Sequence, residues 1–130
     1  MTGAIPEPEL SDEERRQVAE GMAQFDQGLF FECHDTLEDV WTGVRGPSRD
    51  FFQGLIQVAV GFYHLSNDNR GGAATLLRRG LGRLAKYPDR YGGLELVRLR
   101  LEVLEWLERV ESGDVSFPQT LEALPKLVAP

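Results

Sequence analysis

Apolar residues recur every three or four positions along almost the whole of this 130-residue chain. That is the spacing of one face of a helix, and almost no alternating apolar and polar run is long enough for a strand. The pattern predicts an all-α protein, a single compact multihelical bundle of about five helices with a proline-containing C-terminal tail. Ser11 and Glu14 have the spacing of a capping box, so a first helix is expected from Ser11 to about Gln27, stopped by Gly28. The stretch FFECHDTLEDVW, residues 30–41, predicts a second helix ending near Gly43, and Pro47 suits a turn or the first position of the next helix. Asn69 reads as the N-cap of a fourth helix over about 70–86, which Tyr87-Pro88 ends, because proline disfavours helix at the residue before it. A fifth helix follows Tyr91-Gly92-Gly93.

The third helix decides the expected architecture. Between Phe51 and Leu65 only Gln53, Gly54, Gln57, Gly61 and His64 are not apolar, and a helix apolar on nearly every side belongs in the middle. Gly54 and Gly61 lie seven residues apart on one side, and their propensity penalty of about 1 kcal/mol each implies that a neighbouring backbone needs the space. Gly71 and Gly72 are read as a close helix crossing. The fifth helix, GLELVRLRLEVLEWLERVE, is apolar over most of its circumference, with Glu95, Arg98, Glu102, Glu105 and Arg109 making a narrow polar stripe. Its apolar face exceeds what one neighbour covers, so it packs against several helices and the tail FPQTLEALPKLVAP, or contributes to a homo-oligomer interface. The expected organisation is one domain over 1–130, with 1–10 flexible and 116–130 a tail docking on the bundle.

Composition refines the class. With 42% hydrophobic and 27% charged residues the chain reads as soluble and globular, and its single cysteine, Cys33, excludes an internal disulfide framework. Cys33 is expected as a small core residue rather than a nucleophile. MTGAIPEPEL has neither a basic start nor an apolar stretch, and no run reaches the roughly 18 apolar residues of a membrane span, so a cytoplasmic location and no membrane partner are expected. The net charge of -7 argues against generic binding to nucleic acid or anionic lipid. Charge is unevenly placed: residues 1–69 sum to -9, 70–100 to +6 and 101–130 to -4. The basic block LLRRGLGRLAKYPDR could take a phosphate-bearing partner, but it is read as lying over its own acidic neighbours or facing solvent.

Polar residues on otherwise apolar faces are the candidates for chemistry. At 100° per residue the second helix places Phe30, His34, Leu37 and Trp41 on one face with Glu38 at its margin, and the third aligns Gln53, Gln57, Val60 and His64. A buried polar group without a partner costs several kcal/mol, so the two stripes are expected to face each other. His34 and Glu38, one turn apart, could then share a divalent metal with His64, leaving a position open for water or substrate. The spacing H-x-x-x-E is not the H-E-x-x-H of zinc proteases or the paired E-x-x-H of di-iron bundles. In the competing reading Glu38 holds a histidine by a charge-assisted hydrogen bond, the glutamines satisfy backbone or each other, and the network only fixes helix register. A His/Glu acid-base pair is a third reading. A phosphate-binding glycine loop, a G-x-S-x-G elbow and a paired C-x-x-C are all missing, and no catalytic residue is assigned.

Phe25, Gly28, Phe30, Phe31, Glu32, His34, Asp35, Leu37, Glu38 and Trp41 resemble the opening signature of the helical family known as domain of unknown function three hundred and nine. FFQGLIQVAV and NRGGA look like its second and third blocks, so the resemblance spans roughly residues 15–85. It implies a compact multihelical fold and a small cytosolic prokaryotic protein without an established activity. The family usually has Glu where this chain has Asp35, which shortens that side chain. Glu32, His34, Glu38 and Trp41 are signature positions without assigned jobs. QGLFFEC is also similar to the first helix of tetratricopeptide hairpins, with Cys33 where alanine is usual, but a second copy is missing. The expectation is a domain that binds a divalent metal through His34, Glu38 and His64, or a small polar ligand with Glu32, Trp41, Gln53 and Gln57. The alternative is a scaffold or protein-interaction module.

Overall fold

A computed structural model describes residues 5–113 and 123–128. It contains α1 (Asp12–Asp26), α2 (Phe30–Trp41), α3 (Arg49–Ser66), α4 (Arg70–Leu84), β1 (Arg90–Tyr91), β2 (Leu94–Glu95) and α5 (Leu96–Ser112). The five helices, with only a two-stranded ribbon beside them, form the expected all-α bundle. Each helix packs on its neighbour in sequence, α1 on α2, α2 on α3, α3 on α4 and α4 on α5.

The local signals act where the sequence places them. Ser11 Oγ accepts from the Glu14 N–H at 3.1 Å while Glu14 Oε1 accepts from the Ser11 N–H at 2.9 Å, closing the capping box. Gly28, at φ 79°, takes the left-handed turn out of α1. Asn69 Oδ1 accepts from the Gly72 N–H at 3.0 Å and caps α4.

Helix α3 lies between α2 and α4 and buries ten of its eighteen residues. The space left by Gly54 and Gly61 is filled by α4: a Cβ at Gly61 would stand 2.7 Å from Leu77 Cδ2, and one at Gly54 3.0 Å from Leu84. Gly80 completes the contact from α4, where a Cβ would meet Val58 at 2.7 Å. The expectation for Gly71 and Gly72 is corrected. Nothing lies within 4 Å of a Cβ at Gly71, whereas Gly72 is tight against both its cap Asn69 and His64 of α3, so the close approach of α3 and α4 falls on Gly72 alone.

Two aromatic groups fill the core. Phe30 sits 5.1 Å from Phe25 and 5.5 Å from Phe62, which reaches Trp106 of α5 at 6.0 Å. Phe51 meets Phe52, Tyr87 and Tyr91 edge-on at 5.1, 5.7 and 4.9 Å. Tyr91 enters through a feature that periodicity missed, the hairpin of β1 and β2, in which Arg90 pairs with Glu95 and Tyr91 with Leu94. Gly92 and Gly93, at φ 61° and 80°, make its turn, and strands of two residues are too short to show alternation.

The basic block lies over the chain's own acceptors. Arg83 donates to Asp50 at 2.6 Å, Lys86 pairs with Asp50, Arg78 with Glu111, and Arg100 donates to the Leu84 and Tyr87 carbonyls. Lys86, with Arg83 behind it, holds the Asp50 carboxyl below its ordinary value. Within 123–128, Leu124 and Leu127 are buried, and the Leu127 and Val128 N–H groups donate to the two Asp26 oxygens at 2.6 and 3.1 Å. On α5 the apolar residues Val97, Leu101 and Leu104 are exposed. Among the described residues no helix is long and apolar enough to cross a membrane.

Candidate functional site

The polar stripes of α2 and α3 emerge at the protein surface, where the two helices form a cleft of about 120 Å³ lined by Phe30, Phe31, His34, Val60, Tyr63 and His64. His34 and His64 therefore share one small cavity, as the helical arithmetic expects. Its other walls are almost entirely apolar. Phe31, half exposed on α2, leans over to Tyr63 with ring centres 5.4 Å apart, and its ring is 5.8 Å from that of His34.

His34 is flanked by carboxylates at both nitrogens. Nε2 lies 3.4 Å from Glu38 Oε2, one turn along the helix. Nδ1 lies 3.3 Å from Asp35 Oδ1, but without the alignment of a hydrogen bond, and it is buried with no hydrogen-bond partner. His64 is positioned from the next cap. Asn69 commits Oδ1 to the Gly72 N–H and turns Nδ2 toward His64 Nδ1 at 3.4 Å. An amide nitrogen can only donate, so a hydrogen bond at this contact uses Nδ1 as the acceptor.

The glutamines do not join this cluster as expected. Gln57 Oε1 accepts from Arg83 Nε at 3.1 Å, which draws the side chain to α4 and into the Arg83–Asp50 ion pair. Gln53 is half-buried on the same face of α3 and does not line the cleft. Trp41 belongs to the turn between α2 and α3: Arg49 lies 3.9 Å over its ring and donates to the Trp41 and Val44 carbonyls at 2.9 Å each. Glu32 is exposed on α2 outside the cleft. Among the described residues no three His, Cys, Asp or Glu side chains stand where they could hold one metal ion. The ligand set His34, Glu38 and His64 is thus not formed in this arrangement, since Glu38 turns along α2 and His64 toward Asn69.

Phe31, Tyr63 and Asn69 complete the site and were not expected in it, while Val60 lines it from the α3 face it shares with His64. Phe31, His34, Val60, Tyr63 and His64 fall at spacings of three and four, but on two helices this rich in apolar residues such spacing does not separate a cleft wall from core. Cys33, on the inner side of α2, is fully buried. Desolvation, reinforced by the Asp26 charge, pushes its thiol up to about 12, which leaves it without nucleophilic character.

The architecture is that of a small helical domain with an aromatic, histidine-bearing cleft between two adjacent helices. Residues 18–76 match the family described as Domain of unknown function (DUF309), so the family resemblance holds over a stretch containing the whole cleft and its Asn69 support. A protein of Aquifex aeolicus (strain VF5), described as uncharacterized, is 26% identical over 102 residues. That alignment takes in 78% of this chain but only 31% of the relative, so the chain spans about a third of the relative's length.

Proposed function

We propose that this domain binds a small organic cation, an alkylated ammonium group, in the cleft between α2 and α3. The observation that carries the reading is the lining itself: five of its six residues, Phe30, Phe31, His34, Tyr63 and His64, present rings. Ring faces carry negative potential and attract ammonium groups, by about 0.5–1 kcal/mol per exposed contact and about 2 when water is excluded. Helix α2 supplies a favourable field, with Glu32, Asp35, Glu38 and Asp39 and no lysine or arginine. Two or three ring contacts, with the Glu38 carboxylate held 3.4 Å from the His34 ring that lines the cleft, support roughly -4 kcal/mol, a Kd on the order of 1 mM.

The test is a choline titration followed by the ring resonances of Phe31, Tyr63 and His34. Saturable shifts are expected, weakened about tenfold in Tyr63→Ala and in Glu38→Gln and absent with the neutral analogue in which carbon replaces the quaternary nitrogen. Equal binding of the neutral analogue would refute cation recognition. Shifts of His34 and His64 with zinc or manganese, and none with choline, would favour the divalent-metal reading after side-chain rearrangement. The scaffold reading rests on the pairs His34–Glu38, His64–Asn69 and Gln57–Arg83, each closed within the protein. It predicts that no ligand shifts the rings and that these substitutions alter only thermal stability. Self-association through the exposed face of α5 and a cytoplasmic location, to which a lone reduced thiol is suited, are part of the same proposal.

A further inference from the structure

A larger cavity, about 470 Å³, lies away from that cleft, between the N-terminal segment 5–10, α1 and the hairpin turn. Its volume falls within the range of small-molecule sites, roughly 300–1,000 Å³. Leu10, Val18, Met22 and Phe52 form an apolar wall, the last three buried in the core. The segment that closes one side is tied to the hairpin: Tyr91 Oη donates to the Pro6 carbonyl at 2.5 Å, and the Gly92 N–H donates to Glu7 Oε1 at 2.8 Å.

One cation faces this space. Arg16 pairs with Glu13 at 2.5 Å, whereas Arg15, which lines the cavity, meets no carboxylate among the described residues. Glu7 also lines it, but gives an oxygen to the Gly92 N–H and forms no ion pair with Arg15. A guanidinium with five donors and no acidic partner, at the edge of an apolar wall, matches a planar carboxylate on an apolar chain. A phosphate, with nearly twice the charge, would face Glu7 with only that single counter-ion.

We propose that this cavity binds an amphipathic monocarboxylate, with its chain against Leu10, Val18, Met22 and Phe52 and its carboxylate on Arg15. The test compares octanoate, octylammonium and octanol by calorimetry on the full chain. Octanoate is expected to bind at least about tenfold tighter than the other two, and Arg15→Gln is expected to bring it to the level of octanol. Arg15 is exposed and makes no described side-chain contact, so its loss leaves the fold intact, checked by circular dichroism. Ala19→Trp, an exposed position lining the same space, is expected to abolish octanoate binding by filling it while Arg15 stays in place. Equal affinity for all three would reduce the cavity to an apolar groove, and preference for octylammonium would transfer the headgroup site to Glu7. Absence of octanoate binding, or retention of full affinity in Arg15→Gln, would also overturn the proposal.

Discussion

Burial sets the titration of Cys33 and Tyr91, and with it two measurable behaviours. Removal from water, with charge from Tyr87 and Glu7 adding to it, raises the Tyr91 hydroxyl to about 12 from 10.0, and Cys33 reaches a similar value from 9.0. Both groups hold their protons more tightly folded than unfolded. The stability they contribute is complete below the unfolded values, near 9 for the thiol and 10 for the phenol, and is lost as pH rises toward about 12. Thermal unfolding across this alkaline range is expected to show a falling midpoint, and Cys33→Ser, which buries a more polar hydroxyl in the apolar core, is expected to lower the midpoint at neutral pH. Iodoacetamide at about pH 8 is expected to leave the native thiol untouched and to label it on denaturation. Asn69 is the other informative residue. Its capping role is legible in the sequence, but its contact with His64 is not, because the chain bends back through Asp68 at φ 60°. Asn69→Ala is expected to cost about 1 kcal/mol of stability and to release the tautomeric preference of His64, read from imidazole nitrogen shifts.

At the scale of elements, the glycines of α3 and α4 make opposite predictions for one substitution. In Gly61→Ala the new Cβ enters the space of Leu77, and overpacking of about 1–3 kcal/mol outweighs a propensity gain of about 1. Gly82 has nothing within 4 Å, so Gly82→Ala is expected to gain up to about 1 kcal/mol. Paired denaturant titrations with unchanged slopes would check both signs. The need for Gly54 and Gly61 was legible because glycine in an apolar helix has few other uses, whereas in Gly71-Gly72 only the second residue meets α3, a distinction that adjacent glycines hide in a sequence. Helical arithmetic likewise gave the right faces of α2 and α3 but not their partners. It aligned Gln57 with His64, and only the position of α4 shows that Arg83 captures the amide.

For the molecule as a whole, the exposed row Val97, Leu101 and Leu104 bears on assembly. Residues four and three apart share a helix face, and an apolar stripe of this kind is covered readily by a second copy. Sedimentation equilibrium is expected to show a concentration-dependent dimer that Leu101→Lys, at a position 64% exposed and free to change without loss of core, disperses. A strictly monomeric wild-type chain would remove this proposal. The family match and the two cavities also divide the chain unequally. The α2–α3 cleft lies wholly inside residues 18–76, while Leu10, Arg15 and Gly92 of the larger cavity lie outside them.

The sequential packing of the five helices has a kinetic corollary. Contacts between neighbours in sequence close short loops, so α1 to α4 can assemble early and fast. Two ties span far more chain: Tyr91 to Pro6 across 85 residues, and Asp26 to Leu127 across 101. Each closes a long loop through a few polar contacts at the edge of the core, and the entropy of closing that loop places them last in assembly and first in opening. In a native-state hydrogen-exchange experiment the Leu127 and Val128 amides would therefore lose protection well before α3, and the segment over the Arg15 cavity would swing free while the bundle stays whole. Ligand entry there is then a fluctuation of the chain's periphery, with a rate set by two hydrogen bonds at the hairpin.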